Sequence, residues 1–142
     1  FNAQTKRIYA GLLPHVQKFC DERDYNLEID PAYADDEFSI AEAKQFASKL
    51  DLPFEIRDYQ LDAFAHAIKK KRALMLSPTA SGKSLIIYLL AAYLNKKTLI
   101  VVPTISLVQQ MAGDFKSYGY QGDPHMITAG VEKEIDLVSQ EH

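Results

Sequence analysis

The residues best suited to chemistry are Gly82, Lys83 and Ser84, which follow the run Ser-Pro-Thr-Ala-Ser at residues 77–81. They form the tail of the phosphate-binding pattern G-x-x-x-x-G-K-[ST], with Ser77 in place of its first glycine. Small side chains let main-chain amides turn toward phosphate oxygens, and Gly82 permits a close approach that a Cβ would block. The pattern predicts that Lys83 reaches the β and γ phosphates of a nucleotide and that the Ser84 hydroxyl binds Mg²⁺.

The flanking sequence predicts the elements that must position this loop. Residues 73–76 are apolar and predict a strand, and an apolar-faced helix is expected from about Lys83 to near Asn95. The positive end of that helix would face the anion. Residues 98–102 form a β-branched run typical of a strand buried in a parallel sheet. Strand, helix and strand together predict a right-handed βαβ unit. The alternative is a strand-turn-helix that carries Gly-Lys-Ser by chance.

A second helix is predicted upstream of the loop, capped by Asp58 and running to about Lys70. Its Gln60 can both donate to and accept from an adenine edge, as glutamine does in DNA readout. The plainer interpretation is a solvated glutamine. The basic run at residues 69–72 is interpreted as a solvated helix end whose cations complement the helix dipole, in preference to a phosphate-contacting patch.

The segment Pro-Thr-Ile-Ser at residues 103–106 follows the second predicted strand. Thr104 or Ser106 can cap a helix running to about Tyr118. Hydroxyls and helix-start amides suit contact with a nucleic-acid backbone. The alternative is an ordinary strand-to-helix turn, which has the same residue types. Beyond it, residues 125–128 predict a further strand, and residues 132–142 are a charged tail without a clear pattern.

The front of the chain predicts a small β-α-β-α unit that ends near residue 52. Strands are expected at residues 6–10 and 25–29, with a helix over residues 12–24 between them. Ser39 with Glu42 three residues later is a capping box that opens a helix to about residue 50. The acidic residues 35–37 are interpreted as an exposed loop in preference to a carboxylate cluster.

Composition sets bounds on the whole chain. At 142 residues it has room for one domain, or a small domain and part of another. The net charge of −3 provides no general attraction for nucleic acid, so any such binding needs a local patch. No apolar stretch approaches the roughly 20 residues of a membrane helix. The one cysteine, Cys20, suits a reducing compartment and lies on an apolar helical stripe that predicts core packing.

Three segments in this order carry a family resemblance: Arg-x-Tyr-Gln at residues 57–60, the loop at residues 77–84, and Pro-Thr-x-x-Leu-x-x-Gln at residues 103–110. Together they resemble the first RecA-like domain of superfamily 2 helicases. The front end, over residues 12–31, is similar to the amino-terminal accessory domain of phage helicases of the UvsW type.

The resemblance implies an α/β fold: a small accessory domain at residues 1–52, then part of a RecA-like domain with a parallel sheet at residues 53–142. It implies ATP and Mg²⁺ as cofactors, DNA as partner, unwinding or branch migration of DNA junctions as activity, and the phage-infected bacterial cytoplasm as location. Lys83 and Ser84 would be catalytic, Gln60 would select adenine, and Thr104 would contact the DNA backbone. The nucleotide-binding set would be Phe54, Arg57, Gln60, Pro78, Thr79, Ala80, Ser81, Gly82, Lys83 and Ser84, and the nucleic-acid set Pro103, Thr104 and Gln110.

Two parts that such a motor needs do not occur in the sequence. No hydrophobic strand ending in Asp-Glu follows Gly130, and the second RecA-like domain with its arginine finger is missing. The chain is therefore expected to be a piece of a motor that binds ATP without turning it over. The alternatives are another P-loop enzyme, such as a small-molecule kinase, and a non-catalytic DNA-binding or assembly module with a relic nucleotide site.

Overall fold

A computed structural model describes residue 2 and residues 4–128 of the chain. Over this part, helices account for all the regular secondary structure, apart from an isolated antiparallel bridge between Asn2 and Arg7. A short 3₁₀ turn at Ala10–Leu12 precedes five α-helices: α1 (Leu13–Asp21), α2 (Ile40–Ala47), α3 (Asp58–Lys70), α4 (Lys83–Leu94) and α5 (Ile105–Ser117). None of these helices is long and apolar enough to span a membrane.

Local capping signals explain where the helices begin. At α2 the predicted capping box is confirmed: the Glu42 amide donates to Ser39 Oγ at 3.2 Å, and the Ser39 amide donates to the Glu42 carboxylate at 2.7 Å. The hydrogen bonds that the Ser39 amide and the Ser39 hydroxyl donate to the Glu42 carboxylate hold the pKa of Glu42 below its ordinary value. At α3 the expected cap is wrong. Asp58 is the first helical residue, Arg57 is the N-cap, and its amide donates to Gln60 Oε1 at 3.0 Å.

Helices α2 to α5 pack in chain order around one apolar core, with α3 and α4 at its centre. Phe64 on α3 and Leu89 on α4 are fully buried. The rings of Phe38, Phe46 and Tyr93 surround Phe64, with centroid distances of 5.0–5.8 Å among the four rings. Four of these five ring contacts are edge-on, and aromatic pairs of this kind stabilise a core beyond simple burial. Cys20 is buried on α1, as its position on an apolar stripe predicted.

The predicted parallel sheet is not confirmed. Residues 6–10, 25–29, 73–76, 98–102 and 125–128 form no β-ladder in the part of the chain that the structure covers. Side-chain exposure still alternates along residues 74–76, although the segment is not paired with another strand. Leu74 and Leu76 are 89% and 92% exposed, whereas Met75 between them is 37% exposed. A strand is stabilised by backbone hydrogen bonds to a neighbour, so an apolar run alone cannot order one.

An acidic segment and a basic helix end meet in what we call the acid-base clasp, formed by residues 34–36 and 69–71. Lys70 is hydrogen-bonded and ion-paired to Asp35, and Lys71 Nζ lies 2.9 Å from an Asp36 carboxylate oxygen. The Asp36 amide also donates to the Lys69 carbonyl at 2.8 Å, which satisfies a carbonyl at the end of α3. The acidic residues and the basic run at residues 69–72 are exposed, as predicted, and the ion pairs of Lys70 and Lys71 with the acidic segment are an addition that the sequence did not reveal.

Candidate nucleotide-binding site

The loop before α4 has the geometry of an anion-binding turn. Residues 77–82 are non-helical, and α4 begins at Lys83. Ala80 and Gly82 both have left-handed backbones, with φ of 62° and 79°. The amides of residues 82–84 donate to no acceptor within the described part of the chain. Three free donors therefore lie at the positive end of α4, which is what a bound phosphate requires.

Gln60 packs directly beneath this loop. Its Nε2 donates to the Ser81 carbonyl at 3.0 Å, while its Oε1 accepts the Arg57 amide at 3.0 Å. The side chain is buried, and a Cβ built on Gly82 would lie 2.3 Å from Nε2. Gly82 is thus needed for space as well as for its backbone angle, and the Gln60 amide connects the loop to the start of α3.

Tyr59 reaches the same carbonyl and was not anticipated as a site residue. Its hydroxyl donates to the Ser81 carbonyl at 3.1 Å and accepts from Arg57 Nη1 at 3.2 Å. In the sequence Tyr59 stands out only as the tyrosine of the Arg-x-Tyr-Gln segment. Because 22 residues separate it from Ser81, no local spacing rule could reveal the contact.

Lys83 lies folded over the loop that precedes it. Its Nζ donates to the Pro78 carbonyl at 2.7 Å, and the side chain is exposed. Across the same loop the hydroxyls of Ser77 and Ser81 form a hydrogen bond. Ser77 occupies the position of the pattern's first glycine. Its side chain therefore connects the start of the loop to Ser81 near the end of the loop. Thr79 and Ala80 form the exposed turn between these contacts.

Ser84 is hydrogen-bonded to a residue that the sequence did not single out. Its Oγ lies 2.9 Å from the hydroxyl oxygen of Tyr118, which follows the last turn of α5. The centroid of the Tyr118 ring lies 5.6 Å from that of Phe54, in an edge-on arrangement, and 5.4 Å from that of Tyr88, in a tilted one. Burial raises the pKa of the Tyr88 hydroxyl above its ordinary value. Phe54 and Ser84, both in the predicted nucleotide-binding set, are therefore linked through one tyrosine.

The predicted nucleic-acid residues lie at and near the other end of α5. Thr104 is the N-cap, and its Oγ1 accepts the Leu107 amide at 3.3 Å and pairs with Ser106 Oγ at 3.0 Å. Pro103, Thr104 and Gln110 are all exposed. Since α5 has 13 residues, it spans about 20 Å between Thr104 and Tyr118.

Comparison with known proteins gives the family. The DEAD/DEAH box helicase family matches residues 57–140, more than half of the chain. The ATP-dependent DNA helicase uvsW of Enterobacteria phage T4 is 38% identical over 118 residues, which cover 76% of this chain and 24% of the relative. The DNA 3'-5' translocase XPB2 of Sulfurisphaera tokodaii is 33% identical over 113 residues, covering 80% and 25%.

Solved structures agree with these matches. A crystal structure of the UvsW helicase from bacteriophage T4 superposes with a TM-score of 0.63 at 37% identity, over 77% of this chain and 42% of that one. A second T4 UvsW structure matches with the same TM-score and identity over 24% of its length. The chain spans about a quarter of the length of the curated relatives. The chain therefore belongs to the DEAD/DEAH box helicase family, as a UvsW-like member of superfamily 2.

Proposed function

We propose that this chain is the nucleotide-binding part of an ATP-dependent DNA helicase or translocase. The observation that carries the proposal is the loop before α4, where three free amides and the left-handed Gly82 lie at a helix start. Family membership supplies the class of motor, and the relatives' description as DNA helicase and DNA translocase supports DNA over RNA as the track.

The residues at the loop fit ATP with Mg²⁺. The amides of residues 82–84 can donate to phosphate oxygens, and the exposed Lys83 ammonium can exchange the Pro78 carbonyl for phosphate. Ser84 offers a hydroxyl in the first turn of α4, a ligand type that Mg²⁺ accepts alongside phosphate oxygens. Bound Mg²⁺–ATP supplies the phosphoanhydride bond whose hydrolysis drives movement along DNA.

Recognition of the base involves residues at the start of α3. Phe54 is 44% exposed and can stack on an adenine ring, and Arg57, three residues later in the chain, is available for ribose or phosphate contact. Both polar atoms of the Gln60 side chain are already hydrogen-bonded, Oε1 to the Arg57 main-chain amide and Nε2 to the Ser81 carbonyl. If Gln60 selects adenine, one of these two hydrogen bonds must break. The glutamine would then exchange a loop contact for a base contact when nucleotide binds.

The remaining elements of the proposal concern the parent protein. Thr104, with Pro103 and Gln110, would contact the DNA backbone from α5. Residues 1–52 would form the accessory domain, and residues 73–76 and 98–102 would be strands of the parallel sheet. The parent would act in the cytoplasm of a phage-infected bacterium, unwinding or branch-migrating DNA junctions. An Asp-Glu pair and an arginine finger from a second RecA-like domain would complete hydrolysis.

Nucleotide binding by the 142-residue chain tests the proposal. The wild type should bind a fluorescent ATP analogue in the presence of Mg²⁺. Lys83→Ala removes charge-assisted hydrogen bonds of about 1.5–3 kcal/mol and should weaken binding by about 10- to 100-fold. Lys97→Ala, which removes an exposed lysine beyond the end of α4, is the matched control and should bind normally.

Two results would contradict parts of this proposal. No nucleotide binding by the wild type would refute the assignment of the loop. Steady-state ATP hydrolysis by the wild type that Lys83→Ala abolishes would refute the inference that this chain binds ATP without turning it over.

A further inference from the structure

The hydroxyl pair between Ser84 and Tyr118 is a long-range contact at the site where Mg²⁺ is proposed to bind. The two residues are 34 positions apart, and their oxygens lie 2.9 Å from each other, with either able to donate. Both side chains are half-buried. The contact thus connects the first turn of α4 to the residue that follows the last turn of α5.

The chemistry of a hydroxyl decides what this contact can do for a metal. A serine hydroxyl has one proton to donate and two lone pairs to accept with. When the Ser84 hydroxyl donates a hydrogen bond to the Tyr118 oxygen, both Ser84 lone pairs remain free for a cation. The hydrogen bond also fixes the rotation of the Ser84 side chain. Groups that orient a metal ligand in this way commonly set the affinity of the site.

Tyr118 is held in place well enough to act as such a partner. Its amide donates to the Asp114 carbonyl at 3.0 Å, which anchors the main chain to α5. Its ring packs against Tyr88, one helical turn beyond Ser84 on α4, and edge-on against Phe54. Since Tyr88 is buried, the tyrosine ring lies on a fixed surface.

We propose that Tyr118 is a positioning residue for Mg²⁺: its hydroxyl oxygen accepts a hydrogen bond from the Ser84 hydroxyl and so turns the Ser84 lone pairs toward the metal of a bound nucleotide. The inference rests on the proposed function, because it needs nucleotide and Mg²⁺ at the loop. It adds a residue from α5 to a site otherwise built from α3, α4 and the loop between them. Because Thr104 begins the same helix, α5 then has one end at the metal site and the other at the proposed DNA contact.

The test measures how strongly Mg²⁺ raises the affinity of the 142-residue chain for N-methylanthraniloyl-ADP, titrated in EDTA and at increasing Mg²⁺. In the wild type, Mg²⁺ should increase affinity. Tyr118→Phe keeps the ring and removes only the hydroxyl, so it should reduce the Mg²⁺-dependent gain by about tenfold and leave binding in EDTA unchanged. A purely structural role would change both measurements together.

Two further variants sharpen the result. Ser84→Ala should lose the Mg²⁺-dependent gain, and adding Tyr118→Phe to it should have no further effect. Tyr93→Phe is the matched control, since Tyr93 lies on α4 within the aromatic core and its hydroxyl has no hydrogen bond within residues 4–128. It should behave as the wild type.

The outcomes separate this inference from the proposed function. If the wild type fails to bind the nucleotide at all, both are refuted. If the wild type binds with a clear Mg²⁺-dependent gain and Tyr118→Phe retains that gain, only the role of Tyr118 is refuted. Equal loss of binding in EDTA and in Mg²⁺ would likewise overturn the positioning role.

Discussion

Replacing Gly82 by alanine tests the packing of the phosphate loop most directly. The substitution forces an alanine into a left-handed backbone with φ of 79°, at a cost of about 1–2 kcal/mol. The new Cβ would also lie 2.3 Å from Gln60 Nε2, so the buried amide must move. Moving it breaks the hydrogen bonds to the Ser81 carbonyl and the Arg57 amide, each worth about 1 kcal/mol.

These costs sum to about 3–4 kcal/mol, a large share of the roughly 5–15 kcal/mol that stabilises a typical domain. Urea unfolding followed by circular dichroism should show this loss in the free energy of unfolding, with a melting temperature lower by about 10 °C. Gly113→Ala is the control. It lies inside α5 with open space around its Cβ position, so alanine should stabilise by up to about 1 kcal/mol.

A double variant isolates the clash from the backbone strain. In a Gln60→Ala background the Cβ of Ala at position 82 has no amide to displace, so Gly82→Ala should cost only about 1–2 kcal/mol. Gly82→Ala as stable as the wild type would refute the close approach. An equal cost in both backgrounds would show that the backbone angle alone is responsible.

Two further predictions concern the front of the chain. Ser39→Ala removes the side-chain half of the capping box at α2 and should lower the free energy of unfolding by about 1 kcal/mol, measured by urea unfolding; no change would show that the cap is unimportant. The hydrogen bond from Lys70 lowers the pKa of the Asp35 carboxyl below its ordinary value of 3.8. The ionised Asp35 therefore contributes its full stabilisation above pH 3.8, and this stabilisation is lost as the pH falls through the lowered pKa. The stability difference between wild type and Asp35→Asn should therefore be constant from neutral to mildly acidic pH and shrink below about pH 3.8, whereas Asp123→Asn, an exposed control, should show no difference; a difference that grows on acidification would contradict the assigned pairing.

The helices could be predicted because their signals are local. The Ser39 and Glu42 side chains cap α2 within one turn, and Gly82 before Lys83 marks the start of α4. The sheet could not be established in the same way. Whether residues 73–76 form a strand depends on a neighbour distant in the sequence, and alternation of apolar residues does not supply one.

The site residues, too, could be predicted from the sequence only where their signals are local. The Gly-Lys-Ser segment lies within one turn of sequence, so the loop and its helix could be located from residue types alone. Tyr59 and Tyr118 reach the loop from 22 and 34 residues away. Each has the sequence appearance of a core aromatic, and only the packing of α3 and α5 against α4 gives their hydroxyls a role.

The acid-base clasp has a consequence for how the parent protein would respond to ionic strength on DNA. A lysine contributes to the salt dependence of DNA binding when its contact with a phosphate releases counterions from the polyanion. Lys70 and Lys71 already have carboxylates as intramolecular counter-charges, supplied by a segment about 35 residues earlier in the same chain. Any phosphate must first displace those carboxylates, so the net gain is small. Lys70 and Lys71 should thus add little to the salt dependence of DNA binding, which would depend mainly on other cations of the motor.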